Sequence, residues 1–290
     1  MTDRPAWLKV KAHTAAEAEG MHAVRDILSR HNLTTVCQGA RCPNAAECWG
    51  AGTATFMLLG SVCTRACRFC AVPTGDPHGT IDDDEPLRLG DAIADLNLDY
   101  VVLTSVDRDD LEDGGASLFA AAIAKIKEHS PKIKIEALIP DFSGSDESLR
   151  TLIASAPDVI GHNIETVRRL SPRLRDPRAG YDQSLHVLAR IGESSPRTIT
   201  KSSLMLGLGE ERTEVIETLR DLREVGVRAV TLGQYLPPSH TAAPLVRYVH
   251  PDEFSSLATE ARKLGFCFVM SGPLVRSSYH AAQTIPACYG

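Results

Sequence analysis

Three cysteines fall within a single short stretch of this chain, Cys63-Thr64-Arg65-Ala66-Cys67-Arg68-Phe69-Cys70, with the spacing C-x3-C-x2-C. They follow an apolar run at residues 53–60. Cysteine thiolates hold iron–sulfur clusters, and a four-iron cluster has four irons to ligate. Three local cysteines leave one iron open to a small molecule, which is what chemistry at a cluster needs. Other readings of the triplet are weaker. Zinc normally takes four ligands from paired C-x2-C knuckles, and no second knuckle is present. A disulfide framework needs an oxidising compartment, and the first residues lack the basic start and apolar core of a secretory signal. Positions 63, 67 and 70 would share one face of a helix, but Thr64, Arg65 and Arg68 give such a stripe no apolar partners.

A second triplet lies just upstream. Cys37, Cys42 and Cys48 are spaced C-x4-C-x5-C. Gly39 and Pro43 predict that residues 37–49 form a loop able to wrap an object. Each triplet is compact, which favours two three-cysteine sites over one mixed site. Six of the eight cysteines lie between positions 37 and 70, so metal or catalysis accounts for them better than bridges do. Cys267 sits in an apolar run and is expected in the core. Cys288 is expected in a mobile tail, and neither has a partner in spacing.

The composition excludes some classes. With 290 residues, 43% of them hydrophobic, a sizeable core is possible in one large domain. No run approaches about 18 consecutive apolar residues, so no membrane partner is expected. The balance of 31 basic against 37 acidic residues, a net charge of −6, argues against non-specific nucleic-acid binding. The missing signals make cytoplasmic residence the expectation.

The elements that must position the cysteines are legible as an alternation. A basic, tryptophan-bearing start at residues 4–11 precedes an expected helix near 15–30, with Ala23, Val24, Ile27 and Leu28 on one face. Apolar β-branched runs follow at 53–60, 100–106, 132–140, 159–165, 198–208, 229–237 and 267–275. Between them, helical periodicity marks 87–96, 117–128, 146–155, 182–191, 213–225 and 252–264. This pattern predicts an α/β fold with a parallel sheet, a partial or full (β/α) barrel. Barrel enzymes place catalysis at the C-terminal ends of the strands, where the 63–70 loop falls.

Other strand ends carry polar candidates. Thr104 and Ser105 lead into an acidic, glycine-bearing stretch that reads equally as a binding loop or a solvated one. Asn163 and Glu165 alternate to one side of a strand; a carboxylate suits a ribose diol, and an amide suits a donor–acceptor pair. Lys201 is a candidate to balance a carboxylate. Gly207 and Gly209 permit close backbone approach. Residues 234–239 and 248–251 either line a channel or pack the barrel mouth.

The C-x3-C-x2-C triplet, with an aromatic before its last cysteine, resembles the signature of the radical S-adenosylmethionine superfamily. The two triplets in this order, with Arg276-Ser277-Ser278-Tyr279-His280-Ala281 near the end, resemble lipoyl synthases over nearly the whole chain. The resemblance implies a radical-SAM-type partial barrel at 53–275, a cysteine-bearing N-terminal extension at 1–52 and a short C-terminal tail at 276–290. It implies two [4Fe-4S] clusters. One, on Cys63, Cys67 and Cys70, binds and reductively cleaves S-adenosylmethionine. The auxiliary one lies on Cys37, Cys42 and Cys48, with Ser277 or Ser278 as fourth ligand. Phe69 would lie near the adenine, Thr104 and Ser105 beside the methionyl part, and Asn163 and Glu165 near the nucleoside; Lys201 is a further candidate contact.

The implied reaction is sulfur insertion at C6 and C8 of an octanoyl chain on a lysine of a lipoyl-carrier protein or domain. A sulfide of the auxiliary cluster would be the donor. An electron donor and a cluster-restoring protein are implied as partners, and no nucleic acid. A biotin-synthase-like enzyme or a methylthiotransferase fits the C-terminal motif and the C-x4-C-x5-C triplet less well. A non-catalytic cluster carrier would not need a barrel.

Overall fold

Seven apolar runs become seven parallel strands, each followed by a helical segment that covers the sheet. The computed structural model describes residues 4–9, 15–33, 35–39, 42 and 44–289, without the side chains of 15–20 and 39. Three helices come first: α1 (Ala15–Arg30), α2 (Val36–Gly39) and α3 (Ala45–Gly50). Then follow β1 (Thr53–Leu58), α4 (Glu85–Leu96), β2 (Tyr100–Ser105), α5 (Ala116–His129), β3 (Lys134–Leu138), α6 (Asp146–Ala154) and β4 (Val159–Gly161). The second half comprises α7 (Ser171–Leu174), α8 (Tyr181–Ser194), β5 (Ile199–Leu206), α9 (Arg212–Glu224), β6 (Ala229–Gln234), α10 (Pro251–Lys263), β7 (Phe268–Gly272) and α11 (Thr284–Tyr289).

Every neighbouring pair is parallel, in the order β1-β2-β3-β4-β5-β6-β7. Among the described residues β7 does not pair with β1, so the sheet curls without closing and the barrel is partial. Strand residues alternate between two apolar surroundings, as doubly covered strands must. Val101 and Leu103 pack outward with Leu89, Ile93, Phe119 and Ile123 under α4 and α5. Tyr100 and Val102 pack inward against Ala281 and Ile285. No helix among the described residues is long and apolar enough to cross a membrane.

Three expectations are corrected. Residues 37–49 are not all loop: α2 and α3 flank the middle cysteine, because Ala45, Ala46 and Trp49 bury one face of a short helix. The chain end is helical as far as Tyr289. There Ile285 and Cys288 pack on Val159, Ile199, Ala229 and Phe268 at the starts of β4 to β7, closing the base of the barrel. Cys267 and Cys288 are not unpartnered but form a disulfide, with their Cα atoms 5.0 Å apart. Arg228 holds the same helix through the Cys288 carbonyl at 2.8 Å and over the Tyr289 ring.

Candidate active site

The C-terminal ends of the first four strands enclose a cavity. Cys63, Cys67, Cys70, Phe69, Thr104, Ser105, Asn163 and Glu165 all line it, together with Asp107, Asp141, His162 and Arg175. The cysteine loop is fastened by its backbone: Cys63 N–H donates to the Pro73 carbonyl at 2.9 Å, Thr64 to Asp107 at 3.0 Å and Arg68 to Leu174 at 2.8 Å. Its central residue, Arg65, is buried and donates to Asp109 at 2.7 Å and to Asp141 at 2.8 Å, with Asp107 3.3 Å away. A buried guanidinium is tolerated only with such partners. Burial opposes ionisation of Asp141 and Asp109, but the bonds and charge of Arg65 outweigh it and hold both below the ordinary carboxylate range. Burial pushes Asp107 up to about 6, and Arg65 offsets only part of this.

The three sulfurs suit a cluster. Each accepts a backbone N–H: Cys63 from Arg65 at 3.4 Å, Cys67 from Asp176 at 3.3 Å and Cys70 from Val72 at 3.4 Å. Such bonds favour the thiolate. Burial raises all three thiols, Cys67 to about 12, so a metal must displace the proton. Among the described residues no three Cys, His, Asp or Glu side chains converge on a single-ion site. The thiolates of a cluster bind separate irons and stand wider apart.

Beyond Gly161 the chain leaves the strand, so Asn163 and Glu165 do not share a face by strand alternation. Glu165 instead takes φ +67°, a rare value for a bulky residue, and bonds to β5 through Ser203 and Met205. Burial raises its carboxyl, and Arg175 offsets part of the effect. Lys201 is corrected. It faces the barrel interior, 2% exposed, and binds Glu136 at 2.8 Å; Tyr100 hydroxyl donates to the same carboxylate at 2.9 Å. Its carboxylate partner is within the chain, and it does not line the cavity.

Sequence reasoning missed Arg175, Asp141 and His162, and marked Asp107 only as part of an acidic stretch. Arg175 is 7% exposed and donates to Ser184 Oγ at 2.8 Å, yet its buried Nε has no partner among the described residues. It lies in an irregular, arginine-rich stretch with no motif to mark it. His162 bridges Ile139 carbonyl at 3.0 Å and Ser184 Oγ at 2.8 Å. Burial lowers it to about 4, so it is neutral near pH 7.

The second triplet meets the C-terminal motif. Burial, then Cys42 and Cys37, raise Cys48 to about 12, while a backbone hydrogen bond from His280 opposes them. Burial also raises Cys42, with the Arg276 charge among the opposing effects. The motif is seated on β6 by a close approach: a Cβ on Gly233 would stand 2.2 Å from the Val275 carbonyl oxygen. Ser277 lines a second cavity, of about 720 Å³.

That cavity is walled by Leu204, Met205, Tyr235, Leu236, Pro237, Pro238, Leu274 and Val275, with Leu8 and Arg4 from the N-terminal segment. It shares Phe69, Asn163 and Glu165 with the first. Residues 248–251 pack instead: Val249 is buried and donates to Gln234 Oε1 at 2.8 Å, and His250 caps α10. Gly207, at φ +103°, lets Gln234 Nε2 in where a Cβ would lie 2.2 Å away.

Residues 57–271 match the Radical SAM superfamily. Two solved structures share the fold. The FeFe-hydrogenase maturase HydG of Carboxydothermus hydrogenoformans gives a TM-score of 0.60 at 13% identity, over 94% of this chain and 69% of that one. Methylornithine synthase gives 0.56 at 12% identity, over 88% and 85%. The chain is thus a radical SAM enzyme, a class that implies a [4Fe-4S] cluster and S-adenosylmethionine. The lipoyl synthase of Thermus thermophilus is 53% identical over 280 residues, covering 96% of this chain and 85% of that protein. That of Pyrobaculum arsenaticum is 53% identical over 292 residues, covering 100% and 97%. The chain belongs to the lipoyl synthase family.

Proposed function

We propose that this enzyme is a sulfurtransferase that inserts two sulfur atoms, at C6 and C8, into a protein-bound octanoyl group. One observation carries the reading. Two cavities meet at Phe69, Asn163 and Glu165, with the first cysteine triplet in one and the C-terminal serine segment, beside the second triplet, at the other. Cys63, Cys67 and Cys70 would hold the cluster that, when bound, supplies the electron for cleaving S-adenosylmethionine into a radical able to abstract hydrogen from a methylene. Cys37, Cys42 and Cys48, with Ser277 or Ser278, would hold the second cluster, the sulfur source. A serine oxygen is a hard ligand for that iron and is displaced more readily than a thiolate.

The chain's own residues do the positioning. Asn163 and Glu165 offer an amide and a carboxylate to a ribose. Thr104 and Ser105 offer hydroxyls to the methionyl group, and the free Nε of Arg175 suits its carboxylate. Phe69 packs the nucleoside. Leu204, Met205, Tyr235 and Leu236 give the acyl chain an apolar wall, where each buried methylene contributes about 0.8 kcal/mol, and exclude water from the radical. A lipoyl-carrier protein would deliver the chain, an electron donor would reduce the first cluster, and a further protein would restore the second.

The test is anaerobic turnover of reconstituted protein with reductant, S-adenosylmethionine and an octanoyl-lysine peptide, read by mass spectrometry. Both 5′-deoxyadenosine and thiolated peptide are expected. 5′-Deoxyadenosine alone would leave the radical chemistry and reject the substrate. Neither product, from protein shown to hold both clusters, would favour a cluster carrier. Alanine at Cys63, Cys67 or Cys70 should abolish cleavage. Alanine at Cys37, Cys42 or Cys48 should spare some cleavage and prevent sulfur insertion.

A further inference from the structure

The rim of the 720 Å³ cavity is segregated by charge. Five segments contribute to it or brace it: 4–9, 66–75, 166–175, 235–250 and 273–280. None contains an aspartate or glutamate, in a chain with 37 acidic residues out of 290. The opposite part of the strand-end face is acidic, at Asp82, Asp83, Asp84 and in the 107–113 stretch. A chain of net charge −6 therefore presents a basic half-rim beside its apolar cavity.

The half-rim also carries cations that the chain itself leaves available to a partner. On these segments Arg168, Arg169 and Arg247 are matched within the chain, by Asp182, Glu214 and Glu253. Arg68, Arg173 and Lys9 are exposed, and none has an acidic partner among the described residues. Arg68 is held rigidly, its N–H on the Leu174 carbonyl at 2.8 Å and its carbonyl taking the Ala243 N–H at 2.7 Å. Two large apolar side chains are exposed on the same segments, Trp7 at 40% and Val246 at 61%. Trp7 packs edge-on to His250, which ties the N-terminal segment to the 235–250 loop. Arginine and aromatic residues without carboxylates are the composition of a protein-binding surface.

We infer that Arg68, Arg173 and Lys9, with Trp7 and Val246, dock an acidic face of the carrier protein whose acylated lysine enters the cavity. This inference rests on the octanoyl reading above. The basic half-rim steers the carrier to the mouth, and the apolar pair seats it there. Opposite charge across an interface raises the rate of encounter and fixes register more than it adds contact energy.

The test uses reconstituted holoenzyme and a charge-reversed variant, Lys9→Glu with Arg173→Glu; Arg68 is left alone because it lies between two cluster cysteines. Two probes are compared, an octanoylated, fluorescently labelled lipoyl-carrier domain and a capped, uncharged octanoyl-lysine tripeptide. At low ionic strength the variant should bind the carrier about tenfold more weakly. Added salt should weaken the wild-type complex toward the variant's affinity. Thiolation of the tripeptide should be unchanged, which also reports that the variant is folded. Equal carrier affinity in the two proteins overturns the inference, as does an equal loss on both probes. A variant that loses affinity for a single-stranded oligonucleotide but not for the carrier assigns the surface to nucleic acid and overturns it too. If the wild type thiolates neither probe, the octanoyl reading falls, while the binding comparison still decides the docking face.

Discussion

The side-chain amide of Asn44 donates a 2.8 Å hydrogen bond to the carbonyl oxygen of Leu274, 230 residues further along the chain. Nearby, Glu47 accepts from the Tyr279 hydroxyl at 3.2 Å and pairs with His280 at 3.1 Å. Asn44 lies between two cysteines of the second triplet, and Leu274 just precedes the serine motif. These bonds therefore set the relation between the two halves of one candidate metal site. Asn44→Ala should cost about 1 kcal/mol of stability, the net worth of one such bond. Iron should be lost from one cluster only. 5′-Deoxyadenosine should persist while thiolated product falls. Full thiolation by this variant would show that the contact does not serve the site.

Arg65 is fixed by three aspartates from two different strand ends. Asp141 is fully buried on its side chain, and Arg65 is its cation. Arg65→Met should therefore destabilise the fold by about 3–5 kcal/mol, because it strands a buried carboxylate. Arg65→Lys should recover part of this, since it restores the charge but not the planar fork. Urea unfolding of the three proteins checks the order, and an unchanged midpoint for the methionine variant would refute it.

The barrel was legible because its runs are long and its two periods distinct; the strand at Thr53–Leu58 and the helix at Ala116–His129 lie close to where the pattern puts them. Cysteine spacing marked the loop that lines the first cavity. What stayed hidden depends on contacts distant in sequence. Lys201 reads as a ligand-binding cation because a strand residue's partner, here Glu136, is 65 residues away. The bridge between Cys267 and Cys288 depends on α11 folding under the barrel, and only Ile285 hints at that. Arg175 is placed by the turn between α7 and α8, which has no periodicity to read.

His162 gives a pH dependence. Its folded value is depressed to about 4, and the unfolded value is about 6.5. Below about pH 6.5 the unfolded chain takes up a proton that the folded chain refuses. The stabilisation present at pH 7 is thus lost as pH falls toward 4. The loss is on the order of 3 kcal/mol over that window. Chemical denaturation at pH 7 and pH 5 should show a smaller difference for His162→Asn than for the wild type. Equal slopes would remove His162 as the cause.

The disulfide predicts a thiol count. Protein unfolded without reductant and freed of iron should alkylate at six cysteines, and after reduction at eight. The bridge spans 21 residues. Closing a loop of that length restricts the unfolded chain by about 3 kcal/mol. Cys288→Ser should lower stability by up to that amount under oxidising conditions and by far less with reductant present. The same loss in both conditions would mean that packing of α11, rather than the bridge, is responsible.

Gly233 and Gly272 provide a matched pair. A Cβ on Gly233 would meet the Val275 carbonyl oxygen at 2.2 Å, a backbone atom that cannot rotate away. A Cβ on Gly272 would meet only the Val275 Cγ2 at 3.4 Å, an ordinary contact. Gly233→Ala must therefore push the segment carrying Ser277 and Ser278 off β6, at a cost of about 1–3 kcal/mol. Gly272→Ala should be far milder, although both substitutions add the same single methyl. If the serine segment completes the second metal site, Gly233→Ala should retain cleavage of S-adenosylmethionine and lose thiolated product. Gly272→Ala should keep most of both. Equal product from the two variants would mean that the seating of Val275 on β6 has no part in sulfur insertion.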